Sequence, residues 1–128
     1  MKYPALVAVV DDDEQLLHSI GSLLRSFGIE ALLFHSAEEF LHADGASIDC
    51  VIADIHMPGV DGLTMIRKLR QTGSLVPVIV LSALDPESTR DRALASGADA
   101  YLAKPVDGEE LVSCMVRVVT ARDGVDGN

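Results

Sequence analysis

The sequence has no tryptophan, and only three phenylalanines, two tyrosines and two cysteines in 128 residues. With aromatics so scarce, an apolar content of 48% rests mainly on Val, Leu, Ala and Ile, a composition that suits a layered α/β core. Cys50 and Cys114 lie far apart, each in an apolar periodic segment, and read as buried reduced thiols rather than as a disulfide framework. No stretch approaches the roughly 18 apolar residues of a membrane span. The N-terminal Met1-Lys-Tyr-Pro carries no signal-cleavage pattern, so the expectation is a cytoplasmic protein with no membrane partner. Basic residues are the other shortage: 10 Lys and Arg against 20 Asp and Glu give a net charge of −10. That balance argues against direct nucleic-acid binding and suits a site for a cation or a basic protein partner. Most of the excess acid is accounted for by a solvated surface.

What is present is a regular alternation. Ala5 to Val10 is a continuous apolar run, the mark of a strand covered on both faces, and it ends in Asp11-Asp12-Asp13-Glu14. Leu16, Leu17, Ile20, Leu23, Leu24 and Phe27 come next at helical spacing, closed by Gly28. Ile29 to Phe34 reads as a second strand. Ser36-Ala-Glu-Glu39 has capping-box spacing and opens a short helix through Leu41 to Asp44-Gly45. Cys50 to Ala53 is a third, buried strand with Asp54 where it stops. Pro58, Gly59 and Gly62 break the chain before a helix over 62–71. Val76 to Leu81 is a fourth strand ending at Ser82, and Asp85-Pro86 reads as N-cap and first position of a helix closed by Gly97. Ala100 to Leu102 is a short fifth strand, followed by Lys104-Pro105. Asp107-Gly-Glu-Glu110 caps a last helix carrying Leu111, Met115, Val118 and Val119. The domain is expected over 1–122, with 123–128 a fraying polar tail or the start of a linker.

Five strands alternating with five helices demand a mainly parallel sheet with right-handed crossovers and helices on both faces. In the flavodoxin-like order 2-1-3-4-5, strands one and three adjoin at the topological switch point, where open α/β sheets bind their ligands. Asp11, Asp12 and Asp54 then converge on one crevice, with Ser82 and Lys104 beside them. Each has a plain explanation alone: Asp12 caps the first helix, Asp54 caps a turn, Ser82 ends a strand, Lys104 is a surface lysine. Their common sheet edge favours a joint role. Three carboxylates and one lysine leave about −2, which Mg²⁺ would neutralise, since it takes oxygen ligands and usually one or two carboxylates. A carboxylate beside Mg²⁺ and Lys⁺ is expected to keep a low pKa. The arrangement suits attack of Asp54 on phosphorus, with the cation, lysine and hydroxyl holding the phosphoryl oxygens.

The motifs Val-Val-Asp-Asp-Asp-Glu, Asp-Ile-His-Met-Pro-Gly-Val-Asp-Gly, Leu-Ser-Ala and Tyr-Leu-Ala-Lys-Pro, taken together, resemble those of response-regulator receiver domains, over roughly Ala5 to Val119. The resemblance implies a signalling phosphoacceptor rather than an enzyme, with self-catalysed phosphorylation and dephosphorylation. It makes Asp54 the phosphoacceptor and Asp11 and Asp12 the Mg²⁺-site acids, the backbone carbonyl of His56 supplying a third metal ligand. Ser82 becomes the switch hydroxyl, Tyr101 the switch aromatic and Lys104 the phosphoryl-binding lysine, preceding a cis peptide at Pro105. Implied partners are a sensor histidine kinase or phosphotransfer protein. A phosphorylation-dependent homodimer through the fourth helix, fifth strand and fifth helix is also implied.

Two positions are individual to this chain. The His56 side chain could steer water at the phosphoryl group, stand as an exposed loop residue, or serve as a transition-metal ligand. Leu84 puts an apolar group near Ser82 that could shield the phosphoryl group. Tyr101 could equally be a half-buried amphipathic plug, or a ring that turns inward from an exposed rotamer when the domain switches. A flavin binder of this topology would need a Gly- or Ser/Thr-rich loop where Asp-Asp-Asp-Glu stands, and a haloacid-dehalogenase-like phosphatase would need Asp at position 56 and a cap region. The first helix and Ser36-Ala-Glu-Glu-Phe-Leu41 resemble receivers of the FixJ type, which implies control of transcription. The alternative is a stand-alone receiver acting by contact or as a phosphorelay shuttle.

Overall fold

A computed structural model describes residues 3–43, 47–83 and 86–126, with Pro86 and 123–126 described in backbone only. The order is β1 (Leu6–Val10), α1 (Glu14–Ser26), β2 (Glu30–Phe34), α2 (Ala37–Leu41), β3 (Cys50–Asp54), α3 (Gly62–Gln71), β4 (Val78–Ser82), α4 (Pro86–Ala95), β5 (Ala100–Ala103) and α5 (Gly108–Asp126). All strand pairs are parallel, as the alternation requires, and the sheet order is β2-β1-β3-β4-β5, the flavodoxin-like order expected.

Because strand side chains alternate between faces, each central strand feeds two cores. Val7, Val9, Ile52, Ile79 and Leu81 point to the layer closed by Leu17, Ile20 and Leu24 of α1 and Leu111, Met115 and Val118 of α5. Ala8, Val10, Val51, Ala53, Val78 and Val80 point to the other, closed by Phe40 of α2, Leu63, Met65 and Ile66 of α3 and Ala93 of α4. Every residue of β3 and β4 is buried, which explains why their apolar runs are continuous. Cys50 and Cys114 are free and buried, and burial pushes both thiols up.

Several boundaries differ from the sequence expectation. β4 begins at Val78 rather than Val76. Pro77 has no N–H for the ladder, and the Val76 carbonyl accepts Arg70 Nη1 at 2.7 Å. β3 and β4 each extend one residue further, taking in Asp54 and Ser82. The last helix runs on to Asp126, through residues expected as a polar tail. A helix needs an apolar face only where it packs, and propagation adds a hydrogen bond per residue. Arg122, just before this stretch, is tied to Asp99 Oδ1 at 2.9 Å. α2 ends at Leu41 with His42 as its C-cap, short of the Asp44-Gly45 end expected for it; that dipeptide, Leu84 and the Asp85 cap lie outside the described residues.

Candidate functional site

The parallel register sets the polar residues on one edge. Val10 pairs with Ala53, so Asp11 lies level with Asp54. Asp54 pairs with Leu81, and Ser82 with Ala103, so Ser82 and then Lys104 come next around the same carboxyl edge. Asp11 (2% exposed), Asp54 (8%) and Ser82 (1%) are buried, while Asp12 is exposed. One carboxylate oxygen from each of Asp11, Asp12 and Asp54 lies within 4.8 Å of the others, among the described residues the one group of at least three acid, histidine or cysteine ligand atoms so close.

Lys104 ties the crevice together. Its Nζ donates to Asp11 Oδ2 at 3.1 Å and stands 3.4 Å from Asp54 Oδ1. Its backbone N–H donates to the Ser82 carbonyl at 2.8 Å, which anchors β5's exit to the end of β4. The Lys104-Pro105 peptide is cis. Asp11 is held from two sides, since Oδ1 accepts the Asp13 N–H at 2.9 Å. Capping of α1 falls to Asp13, whose Oδ1 accepts the N–H groups of Gln15 and Leu16 at 3.0 and 3.2 Å. That removes the plain explanation for Asp12.

Charge crowding is visible in Asp54. Burial first, then the neighbouring Asp11, raise its carboxyl above the ordinary range, and attraction to Lys104 only partly offsets them. The low pKa expected from the sequence presupposes the cation; the protein alone has the opposite. For Lys104 burial works against the charge, but its hydrogen bond to Asp11 and the pull of Asp54 prevail and raise its pKa. Three oxygens gathered around uncompensated negative charge, of a kind hard divalent cations prefer, fit Mg²⁺.

The loop after β3 folds tightly back. The Gly62 N–H donates to the Ile55 carbonyl at 2.9 Å, and a Cβ at Gly62 would collide with the Asp54 carbonyl oxygen. Gly59, at φ +81°, packs against the Glu38 carboxylate, which accepts the Val60 N–H at 3.4 Å. In the sequence these glycines read as chain breakers, and nothing there points to Glu38, whose contact across 22 residues leaves no local signal. His56 is exposed, and its ring lies outside the carboxylate group. Nothing in this geometry supports the transition-metal reading for it.

Tyr101 is buried, 9% exposed, in the core layer facing α3 and α4. The exposed rotamer expected from the sequence is not the one observed, because the ring already lies inside. No described helix is long and apolar enough to cross a membrane.

A sequence model of the response regulator receiver domain matches residues 7–116. The response regulator MprA of Mycolicibacterium vanbaalenii is 38% identical over 125 residues, 94% of this chain and 54% of that protein. The response regulator protein TmoT of Ectopseudomonas mendocina is 33% identical over 112 residues, 87% of this chain and 51% of that protein. The chain thus spans about half the length of the curated relatives it matches. Among solved structures, a response regulator receiver domain protein from Clostridium thermocellum superposes with a TM-score of 0.87 at 29% identity, covering 94% of this chain and 98% of that one.

Proposed function

The chain belongs to the response-regulator receiver family, a signalling phosphoacceptor of two-component systems, and on that premise we propose that Asp54 accepts a phosphoryl group from a sensor histidine kinase or phosphotransfer protein. The observation that carries this reading is the convergence of Lys104 on Asp11 and Asp54 beside Asp12. In the transfer, an Asp54 carboxylate oxygen forms the new P–O bond as the P–N bond of the donor phosphohistidine breaks. Asp11 and Asp12, with Asp54 and the His56 backbone carbonyl, would hold Mg²⁺, which supplies positive charge to the phosphoryl oxygens. Lys104 and Ser82 would contact the remaining oxygens, and the same groups would serve self-catalysed dephosphorylation.

Incubation with Mg²⁺ and acetyl phosphate should add one phosphoryl group to the intact mass, and Asp54→Asn should abolish it. Equal labelling of Asp54→Asn would overturn the assignment.

The output is proposed as a conformational switch. An aspartyl phosphate replaces a charge near −1 with one nearer −2 and adds acceptor oxygens, to which Ser82 at the end of β4 would donate. Support for an origin at Ser82 and Tyr101 is that both are buried and neighbour the α4 segment. Movement there would reshape the α4–β5–α5 face for a homodimer or partner contact. Control of transcription in the FixJ manner fits relatives about twice this chain's length; a stand-alone receiver or phosphorelay shuttle is the other reading. Ser82→Ala should accept phosphate on Asp54 yet show no change of oligomeric state with beryllofluoride. A response equal to the wild type would remove the hydroxyl as trigger.

A further inference from the structure

Outside the acidic crevice, two of the four histidines meet one carboxylate. Glu14 Oε1, in the first turn of α1, stands 3.4 Å from His18 Nε2 one turn on and 3.5 Å from His35 Nε2 in the turn between β2 and α2. All three side chains are at least half exposed, at 68%, 65% and 50%, so ion pairing here contributes little to stability. Their chemistry is that of a borderline metal. Zn²⁺ ligated by imidazole and carboxylate at about 2.0–2.2 Å in a tetrahedron would set ligand atoms about 3.3–3.6 Å apart. Both separations from Glu14 Oε1 match that edge.

A second carboxylate orients one of the rings. Glu39 Oε1 accepts the His35 backbone N–H at 3.2 Å and lies 3.6 Å from His35 Nδ1. A proton on Nδ1, the nitrogen nearer Glu39, would leave Nε2, the nitrogen nearer Glu14, free to ligate, the arrangement in which zinc-binding histidines are commonly held. The two imidazoles lie further from each other than the 4.8 Å that unites the crevice carboxylates, so closure on a metal requires rotation of exposed side chains.

We infer that Glu14, His18 and His35 form a surface site for a transition-metal ion of the Zn²⁺ class, with Glu39 as the residue that positions His35. The site would fasten the start of α1 to the β2–α2 turn. It is distinct in chemistry from the all-oxygen crevice, because imidazole nitrogen suits Zn²⁺, Cu²⁺ and Ni²⁺ and carboxylate alone suits Mg²⁺.

The test is a titration of the metal-stripped full chain with ZnCl₂ in excess Mg²⁺, which keeps the crevice occupied. Calorimetry gives the affinity, and long-range ¹H–¹⁵N spectra of the imidazoles give the ligands. One Zn²⁺ per chain is expected, with the His18 and His35 ring nitrogens shifting and those of His42 and His56 unmoved. His18→Ala and His35→Ala, at exposed positions and checked for fold by circular dichroism, should each weaken binding more than about tenfold. Glu39→Gln should weaken it by about tenfold while leaving the stoichiometry intact. Zn²⁺ shifts confined to His56, or an affinity unchanged in the His18→Ala, His35→Ala double variant, would overturn the assignment.

Discussion

Asp54 carries two opposed demands. As the proposed nucleophile it must be ionised, yet its position at the end of a fully buried strand, next to Asp11, raises its pKa. Because the folded pKa exceeds the unfolded value, the folded state binds more protons between the two. The Asp54 contribution to metal-free stability should therefore fall as pH rises from the ordinary value of 3.8 through the raised folded pKa, and stay low above it. Asp54→Asn removes this charge, so the variant should melt higher than the wild type at neutral pH without metal, the difference shrinking as pH is lowered. Thermal melts in EDTA from acid to neutral pH test it, and parallel curves for the two proteins would show that burial and Asp11 are not felt. The composition of the crevice was legible at this scale, since its titratable residues each stood just past a readable strand. The sign of the Asp54 shift was not, because desolvation depends on how completely the surrounding layers close.

At the scale of elements, the β3–α3 connection shows how local chemistry aims the site. Asp61 caps α3, its Oδ1 accepting the Thr64 N–H at 2.8 Å, and that bond holds its carboxyl below the ordinary value. Asp61→Ala should cost about 1 kcal/mol in urea denaturation at neutral pH. Here the folded pKa is depressed, so the stabilisation is present above 3.8 and is lost as pH falls through the lower folded value. Gly62→Ala is a different case. Its Cβ would meet backbone atoms of Asp54 and Ile55, which cannot rotate away, so a loss of about 1–3 kcal/mol is expected together with reduced acetyl phosphate labelling. A Gly62→Ala protein with normal stability and labelling would show the loop to be more yielding than the packing implies. The capping of α1 by Asp13 rather than Asp12 shows the limit of reading a run of three aspartates. Candidates one residue apart differ only in the direction the backbone takes on leaving the strand.

For the whole molecule, a divalent cation held by the three crevice carboxylates would make native stability depend on its concentration. Mg²⁺ should stabilise the native state by mass action, by about 2.7 kcal/mol at a hundredfold excess over Kd, and so raise the melting temperature, and EDTA should reverse it. Asp12→Asn should stabilise the metal-free protein and weaken that response; a lower metal-free melting temperature for this variant would mean the acids are not in repulsion. The sequence alone determined five strands in a parallel sheet, the burial of its central strands and, once the flavodoxin-like 2-1-3-4-5 order is adopted, the edge on which Asp11, Asp54, Ser82 and Lys104 stand. It could do so because apolar runs, breakers and parallel crossovers are local or topological signals. The tertiary structure decided the rest: Pro77 excluded from β4, α5 continuing to Asp126, Tyr101 turned inward, Glu38 against Gly59, and His18 and His35 flanking Glu14. Apart from the run of α5, these depend on side chains from different elements meeting, or on one backbone group serving another element. Such separations arise from how layers pack and register, and no period in the chain encodes them.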